Sequence, residues 1–307
     1  MVAGANKGPK MSIQESLPAD VIAVSPNRPS DAELDLFGIT HRGNVRADNE
    51  DHFLICTVHP QVVIHGTSLP NVDTLPLRGT RLATLMVVAD GVGGSAAGSE
   101  AARLATEAIT RYVSSTLRSY HAAGSATDEE FLAALRAAAL EAHDAVLAES
   151  ATRNDKRKMA TTLTVAIAVW PWLYVTQVGD SRLYYHANGI LRQITRDQTV
   201  GQELVDQGVI PADRLHKSPL RNVLSRAIGS DEALPEVTLV DVSERACTLL
   251  LCSDGLTKHV TDDDIAAALA TPRSSKEVAG ELLELALSRG GTDNITIVIA
   301  SAPLERA

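Results

Sequence analysis

Apolar residues along this 307-residue chain fall into two kinds of run. Residues 82–94 read LATLMVVADGVGG: apolar at successive positions over a strand-like length, then stopped at Asp90 by a glycine-dense turn. Residues 247–255, CTLLLCSDG, repeat the design and stop at Asp254. Unbroken apolar runs of this length predict strands buried on both faces. Other stretches recur at helical spacing. Ala101, Leu104, Ala105, Ala108 and Tyr112 predict a helix over about 99–119. Thr127-x-x-Glu130 has the spacing of a capping box and opens a helix to about 150, with Leu132, Leu135, Ala139, Ala142 and Val146 as its buried stripe. Thr261 opens a short helix, and Ser274-x-x-Glu277 caps a longer one that ends near Gly290.

Between these helices the period changes to that of strands. LDLFGIT, FLICTV, VTLVDV and ITIVIA each read as one strand. LTVAIAV and LYVTQV, joined at Trp170-Pro171, then RLYYH and ILRQI, joined at Asn188-Gly189, predict a four-strand antiparallel meander. Residues 199–229 read as mixed helix and loop, 57–81 as a long loop or hairpin, and 155–158 as a solvated charged loop. Residues 1–32, with Pro9, Pro18, Pro26 and Pro29 and no sustained periodicity, predict a disordered tail ahead of a domain at 33–303. Blocks of strands alternating with helix pairs place the chain in the α+β class, on antiparallel sheets.

Composition narrows the functional classes. A net charge of −10 argues against nucleic acid or an anionic membrane as partner. Aromatic content of 3% makes the core aliphatic. Cys247 and Cys252 lie five apart on one predicted strand, on opposite faces, and cannot readily bridge, which fits a reducing cytoplasm. The segment 163–175 is interrupted by Pro171 and is too short for a bilayer, which takes about 20 apolar residues.

Two more acidic stations, Glu50-Asp51 and Asp293-Asn294, each precede a strand pattern. Buried carboxylates repel one another and take up protons unless cations neutralise them, so a set of them at strand ends predicts a metal cluster. Oxygen donors suit Mg²⁺ or Mn²⁺, and no histidine or cysteine spacing favours zinc. A pair of such ions about 3.5–4 Å apart polarises water and clamps a phosphoryl group, and a guanidinium then holds the phosphate oxygens. Arg46 is the nearest candidate, with a surface ion pair to Asp48 or Glu50 as the alternative use of that side chain. Read as a nucleotide site, DGVGGSAAG carries Gly98 two places too late for the third glycine of the fingerprint and lacks a Walker lysine.

With these residues assembled, the chain resembles the metal-dependent protein phosphatases, the type 2C serine/threonine phosphatases, and in particular their soluble bacterial members. The likeness covers roughly residues 36–300 and runs in family order through RADNED (46–51), ADGVGG (89–94), ATTL (160–163) and VGDSRLY (178–184), then LRQITRDQT (191–199), LCSDGL (251–256) and GGTDNIT (290–296). It implies a four-layer α-β-β-α sandwich, two antiparallel sheets flanked by helices, with two Mn²⁺ or Mg²⁺ ions at one end. By the same resemblance Asp90 bridges both ions, the Gly91 carbonyl binds one, and Asp254 and Asp293 bind the other. Glu50 and Asp51 act mainly through water at the metals, Arg46 binds substrate phosphate, Asp180 serves a third, weaker ion, and 199–229 forms a flap. Ser95 stands where bacterial members often carry His, and Val92 replaces a frequent Met. That leaves His52 or water at the metals to protonate the leaving group.

The function these residues imply is hydrolysis of phosphoserine and phosphothreonine on proteins by metal-activated water, with no phosphoenzyme. The expected partners are phosphorylated proteins, including a serine/threonine kinase and its targets, and the expected state is a cytoplasmic monomer. The alternative is a catalytically silent phosphoprotein-binding scaffold of the same fold. Such a scaffold would have lost acidic ligands, and here all of them remain.

Overall fold

The computed structural model describes residues 28–61, 63–65, 67–68, 77–93, 96–123, 127–153, 159–244 and 246–302, without the side chains of 117–123. Most of the expected tail, together with Gly94, Ser95 and the 155–158 loop, lies outside the described residues. Among these residues twelve strands and six α-helices follow in order: β1 (Asp35–His41), β2 (His52–Val58), β3 (Ala83–Ala89), β4 (Gly91–Val92), α1 (Ala96–Ala123), α2 (Asp128–Thr152), β5 (Ala160–Thr161), β6 (Leu163–Val169), β7 (Trp172–Val178), β8 (Arg182–Ala187), β9 (Ile190–Gln193), α3 (Val200–Asp206), β10 (Glu236–Asp241), β11 (Cys247–Cys252), α4 (Asp254–Thr257), α5 (Asp262–Ala270), α6 (Ser275–Ser288) and β12 (Ile295–Ala302).

The long strands form two antiparallel five-stranded sheets, ordered β1-β12-β11-β8-β9 and β10-β7-β6-β3-β2. Strand β3 shows why its sequence is apolar throughout. Leu85, Val87 and Ala89 face α1 and α2, where Ala101, Ala105, Ile109, Leu135 and Ala142 meet them. Met86 and Val88 face the other way, into a core shared with Leu183, Leu251 and Val298 of the opposing sheet. That second sheet turns Leu250, Cys252 and Ile297 outward onto Val260, Val278 and Leu282 from α4 to α6 and the turns that flank them. Full burial of a Leu or Val side chain is worth roughly 1.5–3 kcal/mol, so the three apolar layers hold the four-layer α-β-β-α sandwich together. Cys247 and Cys252 lie in different layers, as their spacing requires. No helix among the described residues is long and apolar enough to cross a membrane.

Capping boxes at Thr127, Thr261 and Ser274 open α2, α5 and α6 where the sequence places them. Helix α1 begins three residues before its expected start because Ala97 is also buried. The predicted four-strand meander is corrected. Strands β6–β7 and β8–β9 are hairpins, but β7 pairs next with β10 and β8 with β11. Gly179, at φ +106°, turns the chain from one sheet to the other. In the 57–81 insertion, Gln61 bridges Arg78 and the Gly79 N–H donates to the Pro60 carbonyl at 2.9 Å, which closes the neck of a hairpin. Residues 28–33, expected mostly in the tail, rest on Arg81, which donates to Asp31 and to the Pro29 carbonyl at 2.6 Å each.

Candidate active site

One end of the sandwich carries a cleft of about 430 Å³ lined by Arg46, Glu50, Asp90, Gly91, Asp180, Asp254 and Asp293, with Asn222 and Leu224 across from them. Each acidic residue arrives from a different segment. Asp90 ends β3, where its N–H donates to Thr162 Oγ1 at 2.9 Å and its carbonyl accepts from the Thr162 N–H at 2.8 Å. Asp180 stands at the sheet-to-sheet crossover, Asp254 begins α4 after β11, and Asp293 precedes β12. Close backbone approach assembles these ends. A Cβ on Gly91 would lie 2.5 Å from the Gly98 carbonyl carbon, and one on Gly255 would collide with the Asn294 carbonyl. Neither position tolerates a side chain without displacing backbone.

Asp51 is nearly fully buried and lies behind the cleft wall rather than on it. Its Oδ2 accepts from the Ser253 and Thr296 hydroxyls, each at 2.7 Å. Asn294 ties the neighbouring loops: its Oδ1 accepts from the Glu50 N–H, and its Nδ2 donates to the Arg42 and Asp48 carbonyls, all at 2.9 Å. Arg46 reaches past its neighbours in sequence. Its guanidinium forks onto Asp293, Nε to Oδ1 at 2.7 Å and Nη2 to Oδ2 at 2.9 Å. His52 meets the Ser99 hydroxyl at 3.2 Å and is not among the residues that line the cleft.

Electrostatics divides the cluster. Burial raises Asp90 well above the usual carboxylate range, and the charges of Asp51, Asp254 and Asp180 add to it. Asp180 is raised in the same way by burial and by Asp254 and Asp197. Burial lifts Asp51 to about 6 against the two hydroxyl donors that favour its charged form. Asp254 is raised by burial despite Lys258 beside it. At Asp293 burial also works upward, but the hydrogen bonds and charges of Lys258 and Arg46 outweigh it and hold the group below its usual value.

Sequence reasoning missed Lys258. Its Nζ lies 2.6 Å from Asp254 Oδ2 and 2.6 Å from Asp293 Oδ2. The signal was present, since Lys258 follows Asp254 by one helical turn, the spacing that brings side chains together. Among the described residues no group of three or more His, Cys, Asp or Glu side chains is placed to hold an ion, and Lys258 and Arg46 stand among the carboxylates. The donor set still suits a hard divalent ion. All its atoms are oxygen, several carboxylates share an enclosed space with too little positive charge, and Asp51 Oδ1 and Asp254 Oδ1 are buried with no hydrogen-bond partner.

A family model, "Protein phosphatase 2C", matches residues 65–288, which include Asp90, Asp180 and Asp254. The chain belongs to this family. Its relatives include the serine/threonine phosphatase stp of Listeria monocytogenes, 31% identical over 86% of this chain and 94% of that protein. The serine/threonine protein phosphatase PstP of Mycobacterium tuberculosis is 37% identical over 71% of this chain, which spans only 40% of PstP's length. The solved catalytic domain of a PstP in complex with two manganese ions superposes with a TM-score of 0.66 at 32% identity, over 87% of this chain and 97% of that one. Family and fold therefore agree with metal dependence.

Proposed function

We propose that the chain is a metal-dependent protein serine/threonine phosphatase that hydrolyses phosphoserine and phosphothreonine with an activated water. The observation that carries this reading is the convergence of Glu50, Asp90, Asp180, Asp254 and Asp293 on one cleft, with Arg46 at its mouth. Asp90 would bridge two Mn²⁺ or Mg²⁺ ions, with the Gly91 carbonyl on one and Asp254 and Asp293 on the other. Glu50 and Asp51 would act through ordered water, and Asp180 would serve a weaker third ion. When bound, such ions lower the pKa of water and neutralise charge on the phosphoryl oxygens.

The chain's own groups supply position. Arg46, 46% exposed, presents a planar fork that can pass from Asp293 to two phosphate oxygens. Ser253 and Thr296 fix the Asp51 carboxylate, so its Oδ1 keeps one orientation. Residues 199–229 would act as the flap: Asn222 and Leu224 of this segment line the cleft, where they would meet the peptide that carries the phosphate. Substrates of a serine/threonine kinase fit this class. A catalytically silent scaffold is disfavoured, since each acidic position is retained.

Chelation tests the reading directly. EDTA should abolish turnover of an aryl phosphate and Mn²⁺ should restore it, while Asp254→Asn should remove most activity from a folded chain. Turnover that ignores chelation would overturn the mechanism.

A further inference from the structure

Lys258 sits where an ion shared by Asp254 and Asp293 would have to sit. Its ammonium makes equal 2.6 Å contacts to Oδ2 of both residues. A small divalent ion held by the same two oxygens would stand about 2.0–2.2 Å from each, so the two positive centres cannot share the place. The backbone of Lys258 has no freedom to retreat, because its N–H closes the turn of α4 on the Asp254 carbonyl at 2.8 Å. Its side chain does: it is 20% exposed, lines the cleft and ends a flexible four-carbon stem. Asp254 Oδ1 remains unpartnered while Oδ2 holds the ammonium, which gives an incoming ion a first oxygen before the lysine leaves.

We infer that Lys258 is a resident competitor for the Asp254–Asp293 seat, so that a divalent ion enters this half of the site only as the ammonium swings out. The inference rests on the proposed metal-binding reading. It gives the two halves of the cluster different affinities: the Asp254–Asp293 seat is weakened by displacement of an existing cation, whereas among the described residues Asp90 faces no such cation at hydrogen-bonding distance. The lysine keeps its charge throughout, so the exchange is one cation for another and needs no proton transfer.

Calorimetric titration of the full-length metal-free chain with Mn²⁺ tests this, comparing wild type with Lys258→Met. The methionine keeps the stem and drops the charge. Affinity at one class of site should rise by about tenfold or more, and the thermal midpoint in EDTA should fall because Asp254 loses the ammonium beside it and Asp293 keeps Arg46 alone. Equal Mn²⁺ affinities in the two proteins would overturn the competitor role while leaving metal binding intact. Failure of both proteins to bind Mn²⁺ would overturn the metal-binding reading, and the competitor role with it. A measurement on unmutated protein guards against misfolding of the variant. Labelling of the Lys258 amine by an acylating reagent, read by mass spectrometry against the other lysines, should increase on adding Mn²⁺. Unchanged or reduced labelling would mean that the ammonium does not leave its carboxylates, and would sink the inference.

Discussion

Two groups of aspartates share one cleft in opposite electrostatic conditions. Asp90 and Asp180 on the cleft wall and Asp51 behind it have charged forms disfavoured by burial first and by neighbouring carboxylates, Asp254 among them in each case, second. Asp293 meets an ammonium and a guanidinium and is held ionised. Residue type is the same and the separation is a few side chains, so the contrast comes from neighbours alone. The first group is strained unless positive charge arrives from outside. The second carries its positive charge on the chain.

Substitution should expose that difference most strongly at Asp90. Asp90→Asn should lower aryl-phosphate turnover about a thousandfold or more, since a lost shared metal ligand removes several kcal/mol of transition-state stabilisation. In EDTA, however, the same variant should melt above wild type, because a repelled buried charge has gone. Asp293→Asn should do the reverse in EDTA. It leaves Lys258 without one of its two carboxylates and Arg46 without its partner, at a cost of about 1–3 kcal/mol after allowing for partial exposure. Paired melts in chelator check both. If the two midpoints moved in the same direction, the contrast between the groups would be wrong.

The pH dependence of metal-free stability is the next effect in size. Asp51 is raised from 3.8 to about 6. A raised folded value means that the native state binds the extra proton, so the contribution is fully present below pH 3.8 and is lost as pH rises through about 6. Asp293 has the opposite sign: lowered in the fold, it stabilises above its ordinary value and loses that contribution as pH falls through its folded one. The chain in EDTA should therefore lose stability between about pH 4 and 6, by up to roughly 3 kcal/mol from Asp51 alone at 1.36 kcal/mol per unit. Saturating Mn²⁺ should flatten that slope. Denaturant melts at a series of pH values would show it, and a flat profile in EDTA would remove Asp51 from the strained group.

Arg46 should matter less to the fold than to the substrate. Arg46→Ala should raise KM for a phosphorylated peptide about tenfold, with kcat changed less, because its fork binds phosphate in ground and transition states alike. Its exposure of 46% limits the loss of stability to less than about 1 kcal/mol. A tenfold fall in kcat at constant KM would instead tie Arg46 to the transition state alone.

Sequence carried the first group of aspartates further than the second. The run at 82–90 is apolar because β3 is covered on both faces, and Asp90 at its end follows from the strand's length. Capping boxes at Thr127, Thr261 and Ser274 are local hydrogen-bond patterns, and they are visible in four residues. The family resemblance supplied which acidic ends meet. What stayed hidden depends on distance through space. Alternation in β6 to β9 is the same whether β8 continues one sheet or joins another, so the crossover at Gly179 could not be read. Arg46 is read from sequence as a phosphate ligand with Asp48 or Glu50 as its alternative partners, whereas Asp293, the carboxylate it pairs with, lies 247 residues away. Lys258 was legible as a helix neighbour of Asp254 but not as a bridge, since the bridge needs Asp293.

The smallest effect sharpens the contrast within the buried group. Asp51 Oδ2 takes two hydroxyl donors, so removing one should move Asp51 toward the behaviour of Asp90 without altering its surroundings. Thr296→Val keeps the volume and deletes one 2.7 Å donor. It also takes from Thr40 a hydroxyl partner at 2.8 Å, which adds a small stability cost common to all pH values. A donor to a carboxylate favours the charged form, so its loss should shift the acid limb of Mn²⁺ affinity upward by about one pH unit, equivalent to roughly 1.4 kcal/mol. Well above that limb, affinity and turnover should match wild type, because Asp51 is ionised there in either protein. Ser253→Ala, which deletes the other donor, should shift the limb in the same direction. An acid limb that stays in place in both variants would show that a different carboxylate governs metal uptake.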